Sequence, residues 1–148
     1  MAEAQKTLEE VIEERRKWYY SVGTVQCRYL NEAVTFNQHG LEHSYKDGRG
    51  HYRGEKDALM RLYLLPWAPV IIKHSISMPS SEIRKADDSR NKTGKNLAFF
   101  ELQMVVKKQI GRKVKHLDIT VVLRRIGDGK LHYYSIRYSK GGYRDPED

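Results

Sequence analysis

The turn at Asp128-Gly129 constrains the fold of this chain more than any other feature of its sequence. It separates two stretches of alternating apolar and polar residues, 119–126 and 131–139. An Asp-Gly dipeptide between such stretches is among the strongest short-range signals for a β-hairpin. The sequence therefore predicts two antiparallel strands whose side chains point alternately to opposite faces.

A two-residue turn at this position pairs Arg124 with Tyr133 and Val122 with Ser135, and it sorts the side chains into two faces. One face is apolar and is expected to lie in the core: Ile119, Val121, Leu123, Tyr134, Ile136 and Tyr138. The other mixes cations, hydroxyls and an aromatic ring: Thr120, Val122, Arg124, Tyr133, Ser135 and Arg137. A core would not tolerate the second set. This face is therefore expected to be a platform that meets a polar, anionic ligand.

The remaining pattern predicts helices first and strands afterwards. Amphipathic spacing indicates a helix within residues 2–27, broken by Gly23, and further helices at 38–46, 55–65 and 67–74. A short strand is expected at 33–36, and longer ones at 75–86 and 97–108. This order predicts an α+β fold, with N-terminal helices packed on one face of a four-stranded antiparallel sheet. The chain is divided into a helical segment, 1–30, a main domain, 31–140, and a flexible tail, 141–148.

Charge is the most informative part of the composition. The chain has 27 Lys and Arg against 19 Asp and Glu, which gives a net charge of +8. Such a balance favours phosphate-rich partners, although a soluble protein can be basic without one. No apolar stretch approaches the ~20 residues of a membrane span, and the single Cys27 excludes an internal disulfide and a Cys-based zinc site. We expect a cytoplasmic protein that binds no cofactor and no membrane.

His39 and His43 are four residues apart in the stretch NQHGLEHSYK, so a helix would place them on one face. Three interpretations are open. The pair could hold zinc, but zinc needs three or four ligands and Gly40 replaces the Glu of the HExxH pattern. The two could also be surface side chains without a role. Finally, they could act as acid and base, because the pKa of histidine lies near neutrality.

The polar hairpin face supplies what a metal-free cleavage of RNA requires. A base removes the 2′-hydroxyl proton, an acid protonates the leaving 5′-oxygen, and a planar cation holds the phosphate. Arg124 is the best placed cation, Ser135 could donate a hydrogen bond to a phosphate oxygen, and Tyr133 offers a stacking surface for an unpaired base. Glu101, on the polar face of its own strand, is either a rival base or a solvated or salt-bridged side chain.

Other basic side chains are weaker candidates. His132 is expected on the core face near the turn, with or without a role. Lys130 and Arg137 are expected to position phosphates at most. A basic tip between the last long strands could contact RNA or serve only for solubility. It comprises Lys107, Lys108, Arg112, Lys113 and Lys115.

A family resemblance is carried by four segments in chain order: VTFNQHGLEH, RLYLLPWAPVIIKH, FFEL and ITVVLRRIGDGKLHYYSI. Together they resemble the barnase/EndoU/colicin/RelE-like (BECR-fold) nucleases, in particular the phage and polymorphic-toxin branch, over about residues 34–138. The resemblance implies an open sheet face that cleaves RNA without metal. It maps the helix histidine to His43, the strand arginine to Arg124, the last-strand hydroxyl to Ser135 and a second helix cation to Arg61. The catalytic Lys of the EndoU subset has no obvious counterpart, which leaves acid and base unassigned.

The first hypothesis is therefore a toxin-type endoribonuclease that leaves a 2′,3′-cyclic phosphate. RNA is its expected partner, and an immunity or antitoxin protein could pair with it. The expected catalytic residues are His39, His43, Arg124 and Ser135. The expected substrate-binding residues are Arg61, Lys130, His132, Tyr133 and Arg137. The alternative is a non-catalytic RNA- or DNA-binding regulatory module that uses the same face, and a weaker one is a protein-interaction domain.

Overall fold

The computed structural model describes residues 6–47, 49–91 and 93–139, which contain four α-helices. These are α1 (Leu8–Val22), α2 (Gln38–Glu42), α3 (Glu55–Leu64) and α4 (Trp67–His74). Helix α1 begins after Thr7, whose hydroxyl accepts a hydrogen bond from the N–H of Glu10. It ends at Gly23, where φ is 68°, a left-handed value that glycine adopts without strain. The four predicted helices are confirmed, with ends that differ by a few residues.

Six strands form one sheet. They are β1 (Thr24–Cys27), β2 (Glu32–Thr35), β3 (Ser77–Arg84), β4 (Leu97–Ile110), β5 (Lys113–Ile126) and β6 (Leu131–Tyr138). Their order across the sheet is β1-β2-β6-β5-β4-β3. Strand β2 runs parallel to β6, and all other neighbours are antiparallel.

The predicted α+β class is confirmed, but the four-stranded antiparallel sheet is wrong. Strands β3 to β6 are the predicted antiparallel part, and β1 and β2 extend it to six strands in a mixed sheet. The short strand expected at 33–36 is β2. Strand β1 was not predicted, since its four residues are too few for an alternating pattern to stand out. Strand β2 joins the sheet by pairing with β6, from the far end of the chain. Local patterns do not report a pairing over such a distance.

The helices pack on one face of the sheet and form the main core with it. Its fully buried side chains include Tyr19, Leu41, Leu65, Ile71, Ile72, Leu102, Ile119, Leu123, Tyr133 and Ile136. The opposite face of β4, β5 and β6 is called the open face here. It carries a small apolar cluster of Leu97, Phe99 and Val122, with Ile126 and Tyr134 packed against it. Polar and charged side chains surround this cluster.

The β5–β6 turn lies one residue before its predicted position. Gly127 has a φ of 55°, and the N–H of Gly129 donates to the carbonyl oxygen of Ile126 at 3.0 Å. The central residues of the turn are therefore Gly127-Asp128. Glycine adopts the positive φ that such a tight hairpin turn requires.

This shift changes which side chains face the core. Beyond a bulge at Tyr134, Val122 pairs with Ser135 as predicted, but between the bulge and the turn the register is displaced by one. The extra residue makes Tyr133 and Tyr134 exchange their expected faces. Tyr133 is fully buried, with its ring stacked 5.1 Å from that of Phe36 between centroids. Tyr134 lies on the open face.

Segment 1–30 contains strand β1 as well as helix α1. The predicted tail, 141–148, lies outside the described residues. None of the described helices is both long enough and apolar enough to cross a membrane.

Candidate functional site on the open face

Arg124 on β5 is the cation at the centre of the site. Its Nε donates a hydrogen bond to Nε2 of His132 at 3.0 Å, and its guanidinium carbon lies 4.8 Å from the ring centroid of Tyr134. Strand β6 supplies both neighbours, and its bulge and displaced register place them on the same face as Arg124. Within the described part of the chain, Arg124 forms no ion pair with a carboxylate. The result is a half-buried cation with imidazole and aromatic neighbours in place of a counter-ion.

Helix α2 brings two histidines to the edge of this face. Its cap is Asn37, whose Oδ1 accepts a hydrogen bond from the N–H of Gly40 at 3.1 Å. At Gly40 the helix touches β6 so closely that a Cβ would lie 2.5 Å from the carbonyl oxygen of Tyr133. Glycine therefore sets the distance between helix and strand. At this distance the rings of His39 and His43 reach the open face.

The ring of Tyr134 connects α2 to the sheet. Its centroid lies 4.4 Å from that of the His43 ring, at an interplanar angle of 40°. The His39 centroid is 5.9 Å away, and Phe99 from β4 packs edge-on at 5.4 Å. Contacts on several sides hold the tyrosine ring in one orientation.

Arg53 is a neighbour of His43 that sequence analysis missed. Its Nε donates to the carbonyl oxygen of His43 at 2.9 Å, and a terminal amino group lies 3.3 Å from His43 Nδ1. Asp57 pairs with Arg53 at 3.4 Å and with Arg61 at 3.0 Å. The spacing of these three residues, four apart along the chain, is a sequence signal for the ion pairs. The contact with His43 depends on tertiary packing and leaves no such signal.

These contacts decide which ring nitrogen of two histidines carries the proton. A guanidinium only donates hydrogen bonds. Nδ1 of His43 is therefore an acceptor beside Arg53, and the neutral ring carries its proton on Nε2. Nε2 of His132 accepts from Arg124, so its neutral ring is protonated on Nδ1. Among the described residues, no hydrogen bond reaches the ring of His39, which keeps a free lone pair.

Burial and nearby arginines keep the histidines neutral. Burial, and then the charge of Arg53, lowers the pKa of His43 to about 3. Burial and Arg124 lower the pKa of His132 to about 4. The pKa of His39 is also lowered, first by partial burial and then by Arg124, although part of the ring is exposed. Positive charge in the site thus resides on arginines, and a bound anion would raise all three histidine pKa values.

The structure also shows the surroundings of four other residues named in the sequence analysis, which are Ser135, Arg137, Lys130 and Arg61. Ser135 lies on the open face, as predicted, and is only 6% exposed. Arg137 is on this face too, but it pairs with Glu101 at 2.6 Å, so the rival base is bound to a cation. Lys130 is exposed at the turn. Arg61 donates to a backbone carbonyl of β6 at 3.4 Å.

Two predictions about β6 are wrong. Tyr133 cannot offer a stacking surface, because its side chain lies in the core, and Tyr134 takes that place on the open face. His132 was expected on the core face but lies beside Arg124 on the open face. Both errors have one cause, since a slip of one residue reverses every side chain between the turn and the bulge.

The three histidines surround an arginine and a tyrosine ring rather than a common point. Across the residues that the structure describes, no three His, Cys, Asp or Glu side chains are grouped as ligands of a metal ion. A half-buried guanidinium with no described carboxylate partner suits an anion instead.

In comparisons with known proteins, no family model, curated protein or solved structure matches the chain. A proposal for the function rests on the side chains of the open face.

Proposed function

We propose that the protein is a metal-independent endoribonuclease that cleaves RNA by attack of the 2′-hydroxyl on the adjacent phosphate. The observation that carries this proposal is a half-buried Arg124 that lacks a described carboxylate partner and has three neutral histidines nearby. A cation removed from water without a counter-ion is destabilised, and a bound phosphodiester would offset that cost. The net charge of +8 favours RNA at longer range.

Arg124 holds the scissile phosphate. Because His132 accepts the hydrogen bond of its Nε, the two terminal amino groups are left for a bidentate contact with phosphate oxygens. A lysine would keep the charge but lose both the fork and the contact with His132. The half-buried ring of Tyr134 gives an unpaired base a flat surface beside the phosphate.

His39 and His43 transfer the protons. His39, with a free lone pair and a lowered pKa, takes the 2′-hydroxyl proton as the bond from O2′ to phosphorus forms. The bond from phosphorus to O5′ breaks, and the leaving oxygen receives the Nε2 proton of the His43 imidazolium, the form that a bound phosphodiester favours. The contact from Arg53 to Nδ1 is lost when that nitrogen is protonated. The products are a 2′,3′-cyclic phosphate and a 5′-hydroxyl.

RNA cleavage in EDTA tests this proposal, with tRNA and rRNA as substrates and the cyclic phosphate ends as the product measured. His43→Ala and Arg124→Lys should each lower the rate at least about 100-fold, because acid–base catalysis contributes about 10²–10⁴-fold and lysine lacks the fork. Arg125→Lys is the matched control. Its guanidinium pairs with Glu32 at 2.7 Å, away from the site, so it should cleave at the wild-type rate.

Intact RNA over a wide excess of the wild-type protein would contradict the enzymatic proposal. RNA binding without strand breaks would support a non-catalytic binding module instead. That second candidate is favoured by the arginine contacts to His43 and His132, each of which occupies a ring nitrogen. The toxin-type role and an immunity or antitoxin partner stay predictions of the family resemblance.

A further inference from the structure

The two longest strands extend beyond their neighbours as a two-stranded arm. Toward their shared turn, β4 last pairs with β3 at Gln103, and β5 last pairs with β6 at Ile119. Beyond these residues, and within the described part of the chain, the N–H of Ser139 still donates to the carbonyl oxygen of Asp118 at 2.9 Å. Past that contact, β4 and β5 pair with each other alone among the described residues. Val106 and Leu117 are their outermost buried residues. The segment beyond them, 107–116, is called the basic arm.

All the charged side chains of the basic arm are positive. It has no acidic residue, and its cations are Lys107, Lys108, Arg112, Lys113 and Lys115. In the described part of the chain, none of them forms an ion pair. Lys108 lies directly opposite Lys115, and like charges in that position repel and destabilise a pair of strands.

Solubility alone does not explain this arrangement, because opposite charges facing each other would be equally soluble and would attract. A polyanion removes the repulsion, and phosphates neutralised by lysine release their condensed counterions. We propose that the basic arm binds the RNA phosphate backbone outside the cleaved nucleotides. This rests on the RNA substrate proposed above and adds a second, separate contact with it.

The arm and the candidate site are far enough apart to require a long RNA. Lys107 points to the side of the open face, and Lys108, Lys113 and Lys115 point to the other side. Arg124 and Lys115 lie on the same strand, roughly 30 Å apart at ~3.3 Å per residue. At ~3.4 Å per nucleotide of a stacked strand, an RNA reaches the arm at least about nine nucleotides from the scissile phosphate.

Length-dependent binding tests the proposal. The variant K107Q/K108Q/K113Q/K115Q removes four positive charges from the arm. The matched control, K17Q/K56Q/K73Q/K85Q, removes as many from lysines exposed elsewhere. The probes are 2′-O-methyl oligoribonucleotides of about 4 and about 20 nucleotides, which lack the attacking hydroxyl and stay intact. Their dissociation constants are measured by fluorescence anisotropy at several salt concentrations, after thermal melting has shown that both variants are folded.

The arm variant should bind the longer probe about tenfold or more weakly than the wild type. Its plot of log K against log salt should be shallower by ~2–3, because each lost phosphate contact removes ~0.7–0.9 from the slope. The shorter probe should show no more than about a twofold difference, and the control should match the wild type with both probes.

Three results would overturn the role of the arm: no binding of the longer probe by the wild type, equal weakening by the two variants, or equal weakening for both probe lengths. Failure of the proposed function gives a different result. In that case the wild type does not cleave unmodified RNA, while the length-dependent effect of the arm persists.

Discussion

Two arginines each donate to one ring nitrogen of a histidine in the candidate site, Arg53 at His43 and Arg124 at His132. At the scale of single residues, these contacts choose the tautomer of each neutral ring before a substrate arrives. They also oppose protonation, because a second positive charge would stand beside the first. A bound phosphodiester reverses that preference, so substrate binding and histidine protonation are coupled.

The pH dependence of RNA cleavage follows from this coupling. The active form needs a neutral His39 and a protonated His43, whose pKa is about 3 in the free protein. When the pH is above the pKa values of both histidines, the fraction of the protein in this active form falls tenfold with each further pH unit. We therefore expect kcat/KM to be higher near pH 5 than near pH 8, and to fall by up to about tenfold per unit toward alkaline pH. Measuring kcat/KM for a short RNA between these limits checks this, and a rate that rises with pH would contradict a mechanism that needs one protonated histidine.

At the scale of elements, the contact between α2 and β6 depends on one missing side chain. In Gly40→Ala, the new Cβ meets the backbone carbonyl of Tyr133, which cannot move aside as the end of a flexible side chain can. We expect a loss of roughly 1–3 kcal/mol in the free energy of unfolding. RNA cleavage should fall as well, because the clash moves His39 and His43 away from Arg124. Urea denaturation and cleavage assays measure the two effects.

Gly54→Ala is the control for that substitution. Gly54 caps α3 with a φ of −55°, and no atom lies within 4 Å of the position of its Cβ. Its unfolding free energy should change by no more than about 0.5 kcal/mol, with cleavage unaffected. If the two variants behaved alike, the close approach at Gly40 would not be what positions α2.

The bulge in β6 predicts opposite consequences for two adjacent tyrosines. Tyr133→Ala empties a fully buried site and should cost roughly 3–5 kcal/mol of stability, with cleavage per folded molecule largely retained. Tyr134→Ala, on the open face, should cost less stability and lower cleavage. Melting temperatures measured beside cleavage rates separate the two effects. The reverse ranking would support the register without a displaced turn.

At the scale of the whole molecule, long-range pairing assembles the site. Val34 and Thr35 of β2 pair with Leu131 and His132 of β6, and α2 follows β2 directly along the chain. The parallel pair therefore delivers the histidines of α2 to the strand that carries Tyr134. The same assembly buries two neutral histidines, which links the stability of the molecule to pH.

As the pH is lowered, the stability of the protein should begin to fall at a higher pH than protonation of its carboxylates alone would cause. The folded pKa values of His43 and His132 are about 3 and about 4, below the ordinary ~6.5 of the unfolded chain. The unfolded state therefore binds more protons below pH ~6.5, and stability falls as the pH drops from there toward the folded values. We expect a loss of about 1 kcal/mol per pH unit for each histidine. In His132→Gln, which keeps an acceptor for Arg124, the slope between about pH 6.5 and 5 should be clearly smaller than that of the wild type, with His43 and His39 supplying what remains. Urea denaturation over this range measures it, and equal slopes would contradict the burial of a neutral His132.

Elements with strong local signals could be predicted from the sequence. Helix α4 begins at the expected residue after Pro66, and its bounds, Trp67–His74, are those expected. The alternating pattern of β4 assigned Glu101 and Gln103 to one face, opposite the core side chains of the same strand. Each of these features depends on residues close together in the chain, which is why a pattern shows them.

The sequence by itself determined the α+β class, the helices, the hairpin of β5 and β6, the net charge and the presence of Arg124 and Ser135 on a polar sheet face. Only the tertiary structure decided that Tyr134 rather than Tyr133 lies in the site, that Arg53 holds His43, and that β2 joins the sheet beside β6. The physical reason is that secondary structure follows from interactions between near neighbours in the chain. The register next to a turn, the docking of a short helix and the pKa of a buried histidine depend instead on groups that only the folded chain brings together.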